Sequence, residues 1–465
     1  MRELQIFILT SALLAAGTAR ASEPNVDDSI GTRPASAPSP AKAAAPAPQA
    51  EPGGVLDVAT DTSDERYRTP EAPLASDPPT NWAVLHAGLR PHLGTFGGIA
   101  TFALAHARTE QFYGGFSLSA IRNDAGTHIG VAQIAIGRNL SDTFDGGLQL
   151  SLTENRARNF TGLGQLALAY DRAGTMNAAW QLSGYNRARI FRGLVQIGAY
   201  DRVDEEFTGL AQIGAFDLAR KDFRGVAQIG LADLVMNDFG GVAQTGVMSY
   251  VKHDFTGVMQ IGGYDQVEHD FTGVAQIGLV SRVGDEMLSG HSSYSNRFGG
   301  ALQAGVVSMV DGNFYGLAQA GAFTYTAGSF NGLAQVGGLF AGARESRALA
   351  QIGAVDLAER SLGLQIGAGA IALEKHDGLQ LGAVGNYARK IDGAQIGIAN
   401  IADRVRGVQI GVFNHARSLH GVQIGVANHA EDGVLPWTAI LNMGFGDGDG
   451  GGGDDDEQNQ RAALN

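Results

Sequence analysis

One short motif recurs from residue 130 to residue 430 and restricts the chain to folds built of nearly identical units: glycine, one or two aliphatic residues, glutamine, an aliphatic residue and glycine. Copies include Gly225-Val-Ala-Gln-Ile-Gly230, Gly273-Val-Ala-Gln-Ile-Gly278 and Gly421-Val-Gln-Ile-Gly425. Its glutamines stand at 133, 149, 165, 181, 196, 212, 228, 244, 260, 276, 303, 319, 335, 351, 365, 380, 395, 409 and 423. Every step is 14 to 16 residues except that from Gln276 to Gln303, which carries an insertion around residues 284 to 297.

Within a copy the residues alternate with period two, the strand signature rather than the helical one. Around Gln228 one face takes Phe223, Gly225, Ala227, Ile229, Leu231, Asp233 and Val235, and the other takes Arg224, Val226, Gln228, Gly230, Ala232 and Leu234. Copies end in turn-forming clusters such as Met236-Asn237-Asp238 and Asp311-Gly312-Asn313. Each repeat therefore predicts one strand of about ten to twelve residues and a tight turn. Flanking residues 82–89, 97–107, 112–121 and 436–445 also read as strands, so residues 81–445 form one all-β repeat domain.

Two architectures accept such strands: an up-and-down antiparallel barrel of about 22 strands, or a β-solenoid of 14–16-residue coils stacked in parallel. The connectors between glutamines favour the barrel, because their charge alternates. Those after the odd-numbered glutamines total −9 in Lys, Arg, Asp and Glu, and those after the even-numbered ones total +10, as two distinct rims would give. A repeat of this length also fits one membrane-crossing strand and a turn. Phenylalanines five residues before glutamine, Phe191 to Phe330, would then form aromatic girdles, and the isoleucine-bearing face would meet lipid. On that reading Asn237 and His253 lie on opposite sides of a membrane.

The ends differ in kind. Arg2 followed by an apolar stretch over residues 6–16 and Ala19-Arg20-Ala21 predicts a signal peptide, residues 1–21. Eleven of the thirteen prolines fall within residues 24–79, so residues 22–80 read as a disordered Pro/Ala-rich spacer, and residues 446–465 as a disordered acidic Gly/Asp tail. With no cysteine there is neither a disulfide framework nor a lipid-modified cysteine. A formal charge of −14 argues against nucleic acid. The expected location is the outer membrane or cell surface, with outer-membrane lipid as partner.

The copies Gln395 to Ala402, Gln409 to Ala416 and Gln423 to Ala430 fit Gln-x-Gly-x-x-Asn-x-Ala. They resemble bacterial surface-repeat proteins built from G-[VL]-Q-[IL]-G-x-x-N-x-A units, which implies an exported surface or outer-membrane protein without an established activity. The same three copies are similar to curlin repeats, which would imply an amyloid-like surface protein.

Catalytic signatures are missing: there is no phosphate-binding loop, His-Glu-x-x-His helix, Cys pair or Gly-x-Ser-x-Gly elbow. No catalytic residue, cofactor or metal site is expected, and the chain reads as non-enzymatic. The insertion, with His291, Tyr294 and Arg297, is a candidate recognition loop. His253 and His269, sixteen apart, would align only if coils stacked in parallel. The repeat glutamines Gln196, Gln212, Gln228, Gln244, Gln260, Gln276, Gln319, Gln335, Gln351, Gln409 and Gln423 are read either as structural amides bonded to their neighbours or as a neutral pore lining. The expected function is a structural role or a passive pore in the outer membrane. The alternative is a secreted β-solenoid adhesin or matrix protein.

Overall fold

The computed structural model describes residues 80–284 and 296–445. Expectations for the signal peptide, the spacer up to residue 79, the acidic tail, His291 and Tyr294 fall outside them. Among the described residues there is no helix, and the strands join into a single sheet.

The coil around Gln228 shows how the sequence folds. Strands Asp222–Arg224, Ala227–Ile229 and Ala232–Val235 are separated by corners at Gly225-Val226 and Gly230-Leu231, and Met236-Asn237-Asp238 leads into the next coil. Each strand pairs in parallel with its counterpart sixteen residues on: Phe223 with Phe239, Gln228 with Gln244 and Asp233 with Ser249. The same register holds on the other side, where Gln228 pairs with Gln212. Repetition of a short coil in parallel register is a β-solenoid, and the antiparallel barrel is thereby overturned. Between coils, the backbone N–H of His253 donates to the carbonyl of Asn237 at 3.2 Å, so these residues are neighbours on one edge and not on opposite rims.

Corners also revise the two-face reading. Phe223, Gln228, Asp233 and Val235 all point inward, whereas Arg224, Val226, Ile229 and Leu231 point out. Alternation holds inside each three- or four-residue strand, but a two-residue corner shifts its phase. Inward positions consequently recur five apart, from Phe to Gln to Asp.

One corner changes in the shorter coils. From the coil that ends at Gln365 onward, where steps are 14 or 15 residues, a single glycine replaces the Gly-aliphatic pair, and Gly363, Gly378, Gly393, Gly407 and Gly421 adopt φ between 109° and 146°. L-residues avoid that region, and a Cβ on Gly407 would run into the carbonyl of Gly393 one coil below.

The two ends of the described stack differ. Asn81–Trp82 and Leu85–Gly88 pair in parallel with His92–Ala103. At the other end, Trp437–Phe445 folds back antiparallel on the last coil, from Trp437 against His429 to Phe445 against His420. This is the one antiparallel pairing among the described residues. Ile440 turns through φ 74° where the register shifts between Gly425 and Asn428.

Candidate functional site

The interior is filled by columns of like side chains, one per coil. Every motif glutamine is buried, and each from Gln149 onward donates from its amide nitrogen to the amide oxygen of the preceding glutamine at 2.7–3.0 Å. Many use the second N–H on a main-chain carbonyl, as Gln244 does on Asp233 at 3.0 Å. A primary amide suits this position because it donates and accepts along one line, so a buried column can satisfy itself. Asn442 of the final strand donates to the oxygen of Gln423 at 3.2 Å and completes the column.

Phenylalanines form the second column. From Phe191 to Phe330 consecutive rings stack with centroids 4.7–5.1 Å apart and planes within 10°. They are fully buried and are not girdles at a membrane interface. His128 takes a place in this column between Phe112 and Phe144, where burial pushes its pKa down to about 3 and keeps the ring neutral.

The third column, five or six residues after the glutamine, holds Asn, Asp, Ser or Thr in most coils, with the buried alanines Ala341 and Ala370 after Gln335 and Gln365. At the C-terminal end Asn386, Asn400, Asn414 and Asn428 bond in series at 2.7–2.8 Å. In the middle stand Asp201, Asp217 and Asp233 on successive coils, then Asp265 beyond Ser249, and Asp356 further on. Burial raises the pKa of each of them, and at Asp217 the flanking Asp201 and Asp233 carboxylates raise it further. Asp265, between two serines, is pushed up to about 7 and Asp356 to about 8. Their composition varies too much from coil to coil for the glutamine motif to reveal them as one column; the parallel register brings them together.

Charge alternation in the connectors also has a place here. Arg187 meets Asp204 at 2.7 Å, Arg189 meets Glu205 at 3.2 Å, and Arg158 meets Asp142 at 3.6 Å, each pair spanning adjacent coils. Alternating sign on successive connectors puts opposite charges one strand spacing apart, which a parallel ladder favours. The feature that suggested two rims is therefore pairing along one edge.

His253 and His269 do stack, with ring centroids 5.0 Å apart. Among the described residues no group of three or more His, Cys, Asp or Glu side chains is placed to hold a metal. Arg297 lies 3.5 Å from Asp270 and its backbone N–H donates to the same side chain, so this end of the insertion is tied to the preceding coil.

With the interior filled, chemistry toward other molecules falls to the outer surface. One side of it is apolar. The residues two before, one after and three after glutamine face outward in rows: Leu210, Val226, Val242; Ile229, Ile277; Leu231, Val247, Leu279. Shallow furrows run between the second and third of these rows at both ends of the stack, lined by Leu166, Leu118 and Ile136 at one end and by Ile410, Val412 and Ile424 at the other. The repeat glutamines, for which the sequence also allowed a pore lining, stand in the packed interior, and the isoleucines face outward from a solenoid. No protein-family model, curated protein or solved structure matches the chain.

Proposed function

We propose that the chain is an exported, non-enzymatic surface β-solenoid that works through its outer faces, as a structural or adhesive element. The observation that carries this reading is the division of labour across the coil wall. Buried amide, aromatic and Asx columns fill the interior, and the variable residues are left on the surface. Repeat proteins of this kind present long, regular surfaces and not enclosed sites. The apolar stretch over residues 6–16 and the small-x-small sequence after it support export.

Protease added to intact cells of the native host tests the reading. The protein should be cleaved without cell lysis and released by treatments that leave the bilayer whole, and its deletion should lower attachment or aggregation of the cells. A protein protected inside the cell, or deletion cells with unchanged attachment, would overturn it.

A further inference from the structure

The apolar side is more exclusive than a soluble surface requires. From two residues before to three residues after each of the nineteen motif glutamines, no position is Asp, Glu, Lys, Arg or His. The outward residues there are exposed, for example Leu231 at 57% and Val247 at 63%. Nineteen coils at about 4.8 Å make the strip about 86 Å long, and with a width of about 12 Å its area is about 1,000 Å². Apolar patches on soluble monomers rarely exceed a few hundred Å². A standard stable interface takes about 800 Å² from each partner.

We propose that this strip is a homotypic interface, through which two copies of the chain pack face to face. Three features select a second copy. The area matches what a stable dimer buries. The relief is self-complementary: rows of Val, Leu and Ile alternate with rows of Ala and Gly, such as Ala227 and Gly230, so ridges of one copy fit the furrows of another. Both copies carry the same rung spacing, so a two-fold axis across the strip matches them rung for rung, as in a dry sheet-to-sheet zipper. An anionic lipid surface is disfavoured by charge. Arginines beside the strip are already paired, Arg224 with Asp222 at 3.1 Å and Arg192 with Glu206 at 3.6 Å, and the whole chain carries −14. The inference deepens the surface-solenoid reading by naming its partner, and it rests on that reading only for the chain being free to meet another copy.

Light scattering and sedimentation on the purified chain test it, independently of where the protein resides in the cell. The wild type should have twice the chain mass at micromolar concentration. The triple variant Val226→Lys, Val242→Lys, Val258→Lys should be monomeric with an unchanged circular dichroism spectrum. Thr208→Lys, Thr256→Lys, Thr272→Lys, on another side, should remain dimeric. Because the chain has no cysteine, Leu210→Cys, Val226→Cys, Val242→Cys, Val258→Cys and Val274→Cys in turn give a second reading that leaves the fold intact. Oxidation should link copies at the positions nearest the two-fold axis and should not link a Thr256→Cys control. A monomeric wild type, a folded triple-lysine variant that still dimerises, or an absence of strip cross-links overturns the proposal. So does a monomer that floats with phosphatidylcholine–phosphatidylglycerol vesicles, which would make lipid the occupant.

Discussion

A buried carboxyl group standing where other coils hold an asparagine must do an asparagine's work. Protonated Asp can donate and accept like an amide, whereas ionised Asp only accepts and bears an unsolvated charge. Asp265 illustrates the consequence. Its carboxyl keeps its proton to about pH 7 in the folded chain, against 3.8 ordinarily, so unfolding between those values releases a proton. Stability is therefore full below about pH 4, falls as pH rises toward 7, and then levels off for this group. Asp201, Asp217, Asp233 and Asp356 act in the same direction. Thermal melts should show a protein more stable at pH 4 than at pH 8. Asp265→Asn should raise stability at pH 8 by at most about 4 kcal/mol and leave it unchanged at pH 4. A melt that rises with pH would refute this. In the neighbouring column, Phe239→Ala should cost about 3–5 kcal/mol, measured by chemical denaturation, because its ring is sandwiched between Phe223 and Phe255 and the void cannot collapse on both sides.

At the level of elements, the vulnerable parts are the two ends, where a parallel stack would present open N–H and C=O groups. Trp437–Phe445 covers one end by running antiparallel, and its Trp437 ring stacks on His429 at 4.4 Å. Removal of residues 437–465 should leave the last coil's edge open. The truncated chain is expected to form concentration-dependent, thioflavin-positive assemblies by end-to-end strand addition, whereas the full chain does not. A truncated chain that remains as soluble as the full one would show that another device protects this edge. The apolar run over residues 436–445 is legible as a strand in the sequence; its direction is not, because an apolar strand pairs equally well either way.

Across the whole molecule, each coil touches mainly its neighbours, so stability is close to a sum of coil and interface terms. Deleting residues 229–244, one whole coil between equivalent positions, should keep all the columns in register and yield a folded protein with a slightly lower melting temperature. Deleting residues 229–236, half a coil, should set Gln against the wrong column and abolish the cooperative transition. Circular dichroism melts of the two variants distinguish these outcomes, and equal damage from both deletions would argue against nearest-neighbour stacking.

The spacing of the glutamines, the turn clusters and the scarcity of proline determined by themselves that the motif-bearing region is built of repeated β units of 14 to 16 residues. The direction of neighbouring strands was decided only in three dimensions. Side-chain alternation says which residues share a face and is the same for parallel and antiparallel neighbours, and the alternating connector charge satisfies two rims or one paired edge equally well. Corner geometry was equally silent: Gly225-Val226 and Gly230-Leu231 read as strand interior until the chain bends there and turns Phe223, Gln228 and Asp233 inward together. What separates the two architectures is the set of columns. An antiparallel pair can set one repeat position against its own counterpart, but Phe223 on Phe239, Gln228 on Gln244 and Asp233 on Ser249 all align together only when successive copies run side by side in the same direction, and that register belongs to tertiary structure.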